Sequence, residues 1–206
     1  SSMKLGILGG TFDPIHMGHL IIAQEAAFRI ALDEVWFVPA GQPWLKSGSR
    51  ISPSHHRMEM ARLATECNPG FKVSSIEVDR PGPSYTVDTL VALQQGDAKR
   101  DSLFFILGMD SLETLSRWHQ PQRLFDLCTL VAVSRPERRD SDLGFLEHIR
   151  PGASREVVVI DGLNIGISGA EIRRRVSQGL PITYWVPRAV EKYIHENHLY
   201  QEAGLE

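Results

Sequence analysis

The chain has 206 residues, enough for one α/β domain with a substantial core, and its 42% hydrophobic and 23% charged residues are ordinary for a globular protein. A net charge of −3 argues against a general nucleic-acid or membrane-surface role. No apolar run approaches a membrane span, and no basic head with an apolar stretch marks a leader, so the expected location is the cytoplasm. Cys67 and Cys128 lie far apart without metal-ligand spacing, which fits buried thiols in a reducing compartment. Ser1-Ser2 ahead of Met3 reads as an expression scar, leaving 3–206 as a single expected domain. A homo-oligomer is compatible with the sequence, which does not specify one.

Residues 4–8 read as a fully buried strand, 18–32 as a helix with Leu20, Ile21, Ala23, Ala27, Phe28 and Ile30 on its apolar face, and 34–38 as a second strand. Strand, helix, strand in this order is a right-handed parallel βαβ unit. The loop 40–51 carries Gly41, Pro43, Gly48 and one cation, Lys46; it has the makings of a lid. Ser52-Pro53 reads as an N-cap followed by proline at the first helical position, with the helix running to about residue 67. A third strand is expected over 71–78. Thr86 can cap a helix ending near Gln95 at Gly96. A strand over 102–107 closes on Gly108-Met109-Asp110, followed by helical segments over 112–118 and 121–126. Residues 128–133 and 156–160 complete six strands, with an irregular polar stretch, 135–150, between them. Ser168 opens a helix that stops at Gly179-Leu180-Pro181, and Pro187 opens the last one, to about His198. The alternation predicts a Rossmann-like open parallel sheet with helices on both faces and ligands at the carboxyl ends of the strands.

Three stretches fall at those ends. Gly9-Gly10-Thr11-Phe12-Asp13-Pro14-Ile15-His16-Met17-Gly18-His19 passes from a strand into a helix start, where unpaired N–H groups and the dipole favour an anion. Its glycines do not have the dinucleotide-binding spacing, and no Gly-x4-Gly-Lys-Ser/Thr phosphate loop occurs. His16 and His19 read as donors to phosphate oxygens; two exposed histidines at a helix start, or a zinc pair lacking its other ligands, are the other readings. In Ile167-Ser168-Gly169-Ala170-Glu171-Ile172-Arg173-Arg174-Arg175, Ser168 and Glu171 have capping-box spacing. Three arginines early in a helix oppose its macrodipole, a conflict that a bound phosphate shared by Ser168 and Arg173 would relieve. Arg174 and Arg175 read as a solvated face. Asp110, at a strand end, suits a ribose hydroxyl or a plain turn. His55, His56, His148, His195 and His198 read as surface residues.

The first and second of these stretches resemble the two signatures of the HxGH nucleotidyltransferase superfamily related to class I aminoacyl-tRNA synthetases. Ser84-Tyr85-Thr86-Val87-Asp88-Thr89-Leu90, and Gly108-Met109-Asp110-Ser111 followed by Arg117-Trp118-His119, narrow the resemblance to the bacterial nicotinate-nucleotide adenylyltransferases, over nearly the whole chain. Two positions depart from that pattern: Ala170 stands where the family usually has Ser or Thr, and Trp44-Leu45-Lys46 where it has Pro-His-Lys.

The resemblance implies a reaction in which the phosphate of nicotinate mononucleotide attacks the α-phosphorus of ATP and pyrophosphate leaves. It places His16 and His19, with the backbone of Gly9, Gly10, Thr11 and Phe12, at the reacting phosphates. Lys46, Ser168 and Arg173 fall at the pyrophosphate, and Tyr85, Thr86, Asp110 and Trp118 at nicotinate mononucleotide. Mg2+ is expected to arrive with ATP, since no dedicated carboxylate cage is visible. A same-fold transferase for another phosphate, such as phosphopantetheine or a choline-like phosphate, and a nucleotide-binding regulator without turnover are the alternatives.

Overall fold

A computed structural model describes residues 2–41, 51–99, 101–135 and 142–202. Six strands are hydrogen-bonded in the order β3-β2-β1-β4-β5-β6: β1 Lys4–Gly10, β2 Glu34–Pro39, β3 Phe71–Val73, β4 Ser102–Gly108, β5 Thr129–Val133 and β6 Val158–Ile160. β4 runs parallel to β1 with Leu5 opposite Leu103 and Ile7 opposite Phe105, and β5 and β6 continue in parallel. This is the doubly wound order whose direction of growth reverses beside β1, and the expected Rossmann-like class is borne out. The helices are α1 Met17–Ile30, α2 Ser54–Thr65, α3 Thr86–Gln95, α4 Met109–Glu113, α5 Pro121–Leu127, α6 Gly169–Ser177 and α7 Arg188–Glu196. No helix among the described residues is long and apolar enough to cross a membrane.

The strands form where the apolar runs are unbroken. Leu5, Ile7 and Leu8 of β1 and Leu130, Val131 and Ala132 of β5 are all buried, as strands covered on both faces require. Gly6 interrupts the first run because a Cβ there would lie 2.8 Å from Leu32 Cδ1 and 3.2 Å from Ile106 Cδ1. Its role is therefore close packing rather than backbone freedom.

Several elements differ from the sequence expectation, each for a local reason. β3 stops at Val73 rather than at 78. The Ser74 N–H still reaches Phe37 O, but the Ser74 hydroxyl then accepts from Ile76 N–H and the Ser75 hydroxyl donates to Asp79, so side chains take over and turn the chain. β6 is shortened to three residues because a 3₁₀ turn at Ala153–Arg155 runs up to Glu156. The helix expected over 112–118 begins at Met109, directly on β4, and becomes a 3₁₀ turn at Leu115–Arg117. Met109, Leu112 and Leu115 are buried at a spacing of three, the period of the tighter helix. The stretch 135–150, expected to be irregular, contains a 3₁₀ turn at Gly144–His148. Pro53, not Ser52, occupies the N-cap of α2, and Tyr85, not Thr86, that of α3; neither makes a side-chain cap bond.

Two compact units are distinguished. One comprises Ser1–Gly9, Ile22–Trp36 and Ser84–Asn164; the other comprises Gly10–Ile21, Phe37–Pro83 and Ile165–Glu206. Each carries part of the predicted chemistry.

Candidate active site

In the second unit the chain leaves β1 through Gly10 and enters a turn with Phe12 in the left-handed region, φ 52°. The Phe12 side chain is buried, 5.9 Å from the Phe37 ring centroid and edge-on to the His19 ring at 4.9 Å. It forms the wall behind the histidines. The His16 and His19 rings stack with centroids 3.7 Å apart. The His16 backbone N–H donates to His19 Nδ1 at 3.1 Å. That bond requires a lone pair on Nδ1, so the neutral His19 ring carries its hydrogen on Nε2. Burial lowers the pKa of His16 to about 4. Burial, and after it the neighbouring His16, lowers that of His19 to about 3. The two stacked, largely desolvated imidazoles are therefore neutral at pH 7, each with one ring N–H to donate.

The backbone at this helix start is largely committed. Met17 N–H donates to Trp185 O at 2.9 Å and His19 N–H to His16 O at 3.1 Å. The expected fan of unpaired N–H groups at the start of α1 is thus mostly spent, and the imidazoles are what this helix start presents.

Gly18 explains the spacing of the two histidines. A Cβ at Gly18 would lie 3.0 Å from His16 Cε1 and Nδ1 and 3.1 Å from Ile165 Cγ2. Only a bare backbone lets the His16 ring fold back over the helix start. Gly18→Ala is expected to leave thermal stability unchanged or slightly raised, since alanine is favoured in a helix by up to about 1 kcal/mol. It is expected to lower kcat about tenfold, because the His16 ring must shift by a few tenths of an ångström. Parallel thermal melts and steady-state assays check both parts.

The second signature lies against the first within this unit. Ser168 caps α6, its hydroxyl accepting the Glu171 N–H at 3.1 Å. The reciprocal half of the capping box is replaced, because the Glu171 carboxylate binds Arg174 instead. Arg173 Nη1 donates to the backbone carbonyl of Asp13 at 2.8 Å, and a Cβ at Gly169 would come within 3.5 Å of that same oxygen. The macrodipole conflict read from the sequence dissolves: α6 has nine residues, so Arg174 and Arg175 stand in its last turn, where cations are favourable. Nor is Arg175 simply solvated. Its Nε donates to Pro181 O, and its guanidinium sits 4.7 Å over the Trp185 ring. Ala170 is exposed in the first turn of α6. Lys46, with Trp44 and Leu45, lies outside the described residues.

Sequence reasoning passed over Arg57. It is 2% exposed and donates to four backbone carbonyls: Nε to Ser52 O at 2.9 Å, Nη1 to Thr11 O at 3.1 Å and Ala40 O at 2.5 Å, and Nη2 to Gly41 O at 3.1 Å. It fastens the segment after β1 to both flanks of the 42–50 stretch. Asp13, also buried, was read only as part of the motif; its Oδ2 accepts Ser52 N–H at 2.9 Å. His56, expected on the surface, is half-buried, with Nδ1 2.7 Å from the Tyr193 hydroxyl.

In the first unit, Tyr85 stacks on His119 with centroids 4.3 Å apart. Trp118 is half-buried, edge-on to Phe105, with Nε1 donating to Thr114 Oγ1 at 3.2 Å. Thr86 is the first residue of α3. Asp110, exposed in the first turn of α4, is 2.5 Å from Arg135 Nη2. The structure thus brings together Tyr85 with His119, and Asp110 with Arg135, in this unit. Aromatic rings and the start of α3 stand in this unit.

Residues 7–175 match the cytidylyltransferase-like family model. Over 201 residues the chain is 47% identical to a Roseiflexus sp. (strain RS-1) protein described as "Probable nicotinate-nucleotide adenylyltransferase", covering 98% of this chain and 100% of that one. The chain belongs to the nicotinate-nucleotide adenylyltransferase family. A protein of the same description from Dehalococcoides mccartyi (strain ATCC BAA-2266 / KCTC 15142 / 195) is 43% identical, covering 97% of this chain and 98% of that one. Among solved structures, Plasmodium falciparum nicotinic acid mononucleotide adenylyltransferase complexed with NaAD superimposes with a TM-score of 0.78 at 19% identity, covering 97% and 98% of the two chains. That likeness shows that the fold of this adenylyltransferase family member is shared well beyond its sequence relatives.

Proposed function

We propose that this chain transfers the adenylyl group of MgATP to nicotinate mononucleotide, giving nicotinate adenine dinucleotide and pyrophosphate, a step of NAD biosynthesis. The end-to-end identity of 47% with a relative described by that activity carries the reading. The chemistry of the residues agrees with it. A phosphate monoester is already ionised near pH 7, so no protein base is needed. One of its oxygens attacks the α-phosphorus as the bond to pyrophosphate breaks. The protein's task is alignment and stabilisation of the charge that develops.

His19 Nε2–H and the stacked His16 suit the oxygens of the phosphorus under attack, since neutral donors need not lose a proton as charge builds. The Ser168 hydroxyl and Arg173 suit the leaving pyrophosphate, joined in the family pattern by Lys46. Arg173 spends one N–H on Asp13 and keeps its charge for the phosphates. Tyr85, Thr86, Asp110 and Trp118 are assigned to nicotinate mononucleotide, with the start of α3 facing its carboxylate. Among the described residues no group of three or more His, Cys, Asp or Glu could hold a metal ion. In this reading magnesium enters as part of the substrate, MgATP, bound by the phosphate oxygens.

Pyrophosphate release with MgATP tests the reading, comparing nicotinate mononucleotide, its amide and phosphopantetheine as acceptors. The acid mononucleotide is expected to turn over fastest. Turnover with phosphopantetheine alone would transfer the assignment to another member of the fold, and release with none of the three would overturn it.

A further inference from the structure

Asp13 immediately precedes Pro14-Ile15-His16, and three separate segments of the second unit hold it. Ser52 N–H, from the segment before α2, donates to Oδ2 at 2.9 Å. Arg173 of α6 donates to its backbone carbonyl at 2.8 Å. The hydroxyl of Tyr200, beyond the end of α7, donates to Oδ1. Asp13 is 6% exposed and Tyr200 9%, so this carboxylate and phenol face each other away from water.

The route by which Tyr200 arrives is conformationally costly. His198, φ 53°, is the left-handed residue that closes α7, whereas Tyr200 takes a second left-handed conformation, φ 64°, outside that cap, which bulky residues rarely do. The chain closes back on α7 as it does so, Leu199 N–H reaching Ile194 O at 3.0 Å. The packing of α7 itself is served by Val190 and Ile194, both fully buried. The left-handed backbone at Tyr200 accompanies the approach of its hydroxyl to one carboxylate oxygen. Strain of this kind, held in place by surrounding structure, is characteristic of sites where geometry matters more than stability.

Resting on the functional reading above, we propose that Tyr200 and Asp13 are positioning residues for adenylyl transfer. The Tyr200 hydroxyl orients the Asp13 carboxylate, and the carboxylate fixes the turn that sets the His16–His19 pair. Neither side chain touches the reacting atoms. Each acts through the histidines, three and six residues further along the chain from Asp13. A loosened turn changes where the imidazole N–H groups point and leaves the remaining substrate contacts in place. The expected signature is a loss in kcat with KM preserved.

The test compares Tyr200→Phe, Asp13→Asn and the double variant in the full chain, with kcat and both KM values measured beside thermal melts. Tyr193→Phe serves as the structural control. Its hydroxyl, on α7, is 2.7 Å from His56 Nδ1 and takes no part in the Asp13 cluster. Tyr200→Phe is expected to lower kcat about tenfold with both KM values within about twofold of the parent, the loss expected of a small misorientation. Asp13→Asn should lower kcat at least as much, and the double variant should be no worse than Asp13→Asn alone, because the two act as one unit. Tyr193→Phe should keep the parental kcat. Failure of the unmodified chain to release pyrophosphate with nicotinate mononucleotide would count against the functional reading itself. With that activity in hand, kcat within twofold of the parent for Tyr200→Phe, or an equal fall in Tyr193→Phe, overturns the proposal. Should Tyr200→Phe not fold, the same kcat-against-KM comparison on Asp13→Asn decides: a kcat within twofold of the parent, or a loss confined to KM, overturns it.

Discussion

His19→Ala is expected to lower kcat roughly 10²- to 10³-fold, the usual loss when one preorganised donor to developing charge is removed. In the proposed arrangement KM for ATP should change far less, because Arg173 and the Ser168 hydroxyl remain for the triphosphate. The size of the effect follows from the state of the ring. A hydrogen bond from the His16 backbone N–H to Nδ1 fixes the Nε2–H tautomer, and Phe12 closes the back of the ring. The donor is therefore oriented before substrate arrives, and no reorganisation is needed during the step. Steady-state kinetics with nicotinate mononucleotide check this; a kcat within threefold of the parent would remove His19 from the chemistry. His19→Asn retains a donor but cannot reproduce the stack with His16, and should recover only part of the loss.

Arg57→Leu is expected to destabilise the fold by about 3–5 kcal/mol, since buried acceptors that lose their donor cost far more than an ordinary surface change. Four carbonyls converge on this guanidinium, from Thr11, Ala40, Gly41 and Ser52. Burial is the chief influence on its pKa and pushes it down, with the Asp13 carboxylate acting in the opposite direction. Even so, an arginine stays charged. Lysine is no substitute, because its point charge cannot reach four acceptors spread around a planar fork. Urea unfolding measures the change; a loss under about 1 kcal/mol would mean that water replaces the side chain at these carbonyls.

The class of fold was legible because β1, β4 and β5 are continuous apolar runs separated by helical patterns, and burial on both faces demands such runs. The histidine turn was legible because glycines and a His-x-Gly-His spacing sit together at a strand end. What could not be read is what depends on distant segments. Arg57 follows two histidines on a polar stretch, and nothing local distinguishes it from a solvated arginine. Its acceptors come from two loops, up to 46 residues away. Tyr200 lies beyond the last helical pattern, and its partner Asp13 is 187 residues earlier. Nothing local in the sequence says why position 18 lacks a side chain, whereas the ring of His16 at 3.0 Å from a Cβ there gives the reason. The charge argument on Arg173, Arg174 and Arg175 failed on helix length. The helix ends beside Gly179 as expected, but it is only nine residues long, so two of the three cations already stand in its last turn, the favourable end.

A neutral histidine pair also has a consequence for stability. In the unfolded chain an imidazole takes up its proton near pH 6.5. In the folded chain the values lie at about 4 for His16 and about 3 for His19. Below pH 6.5 the unfolded state binds more protons, so the contribution of these rings to stability is complete above that pH and is lost as the pH falls toward 4 and 3. Catalysis should show no ionisation of either ring between pH 5.5 and 8. The most direct measurement is ¹⁵N NMR of the histidine side chains from pH 4.5 to 8, on labelled protein assigned with His16→Gln and His19→Asn variants. The predicted result is a His19 signal of the Nε2–H tautomer, with both rings neutral and unchanged down to pH 5. Titration of either ring near pH 6.5, or a hydrogen on His19 Nδ1, would contradict the account of this site as a pair of neutral, preoriented donors.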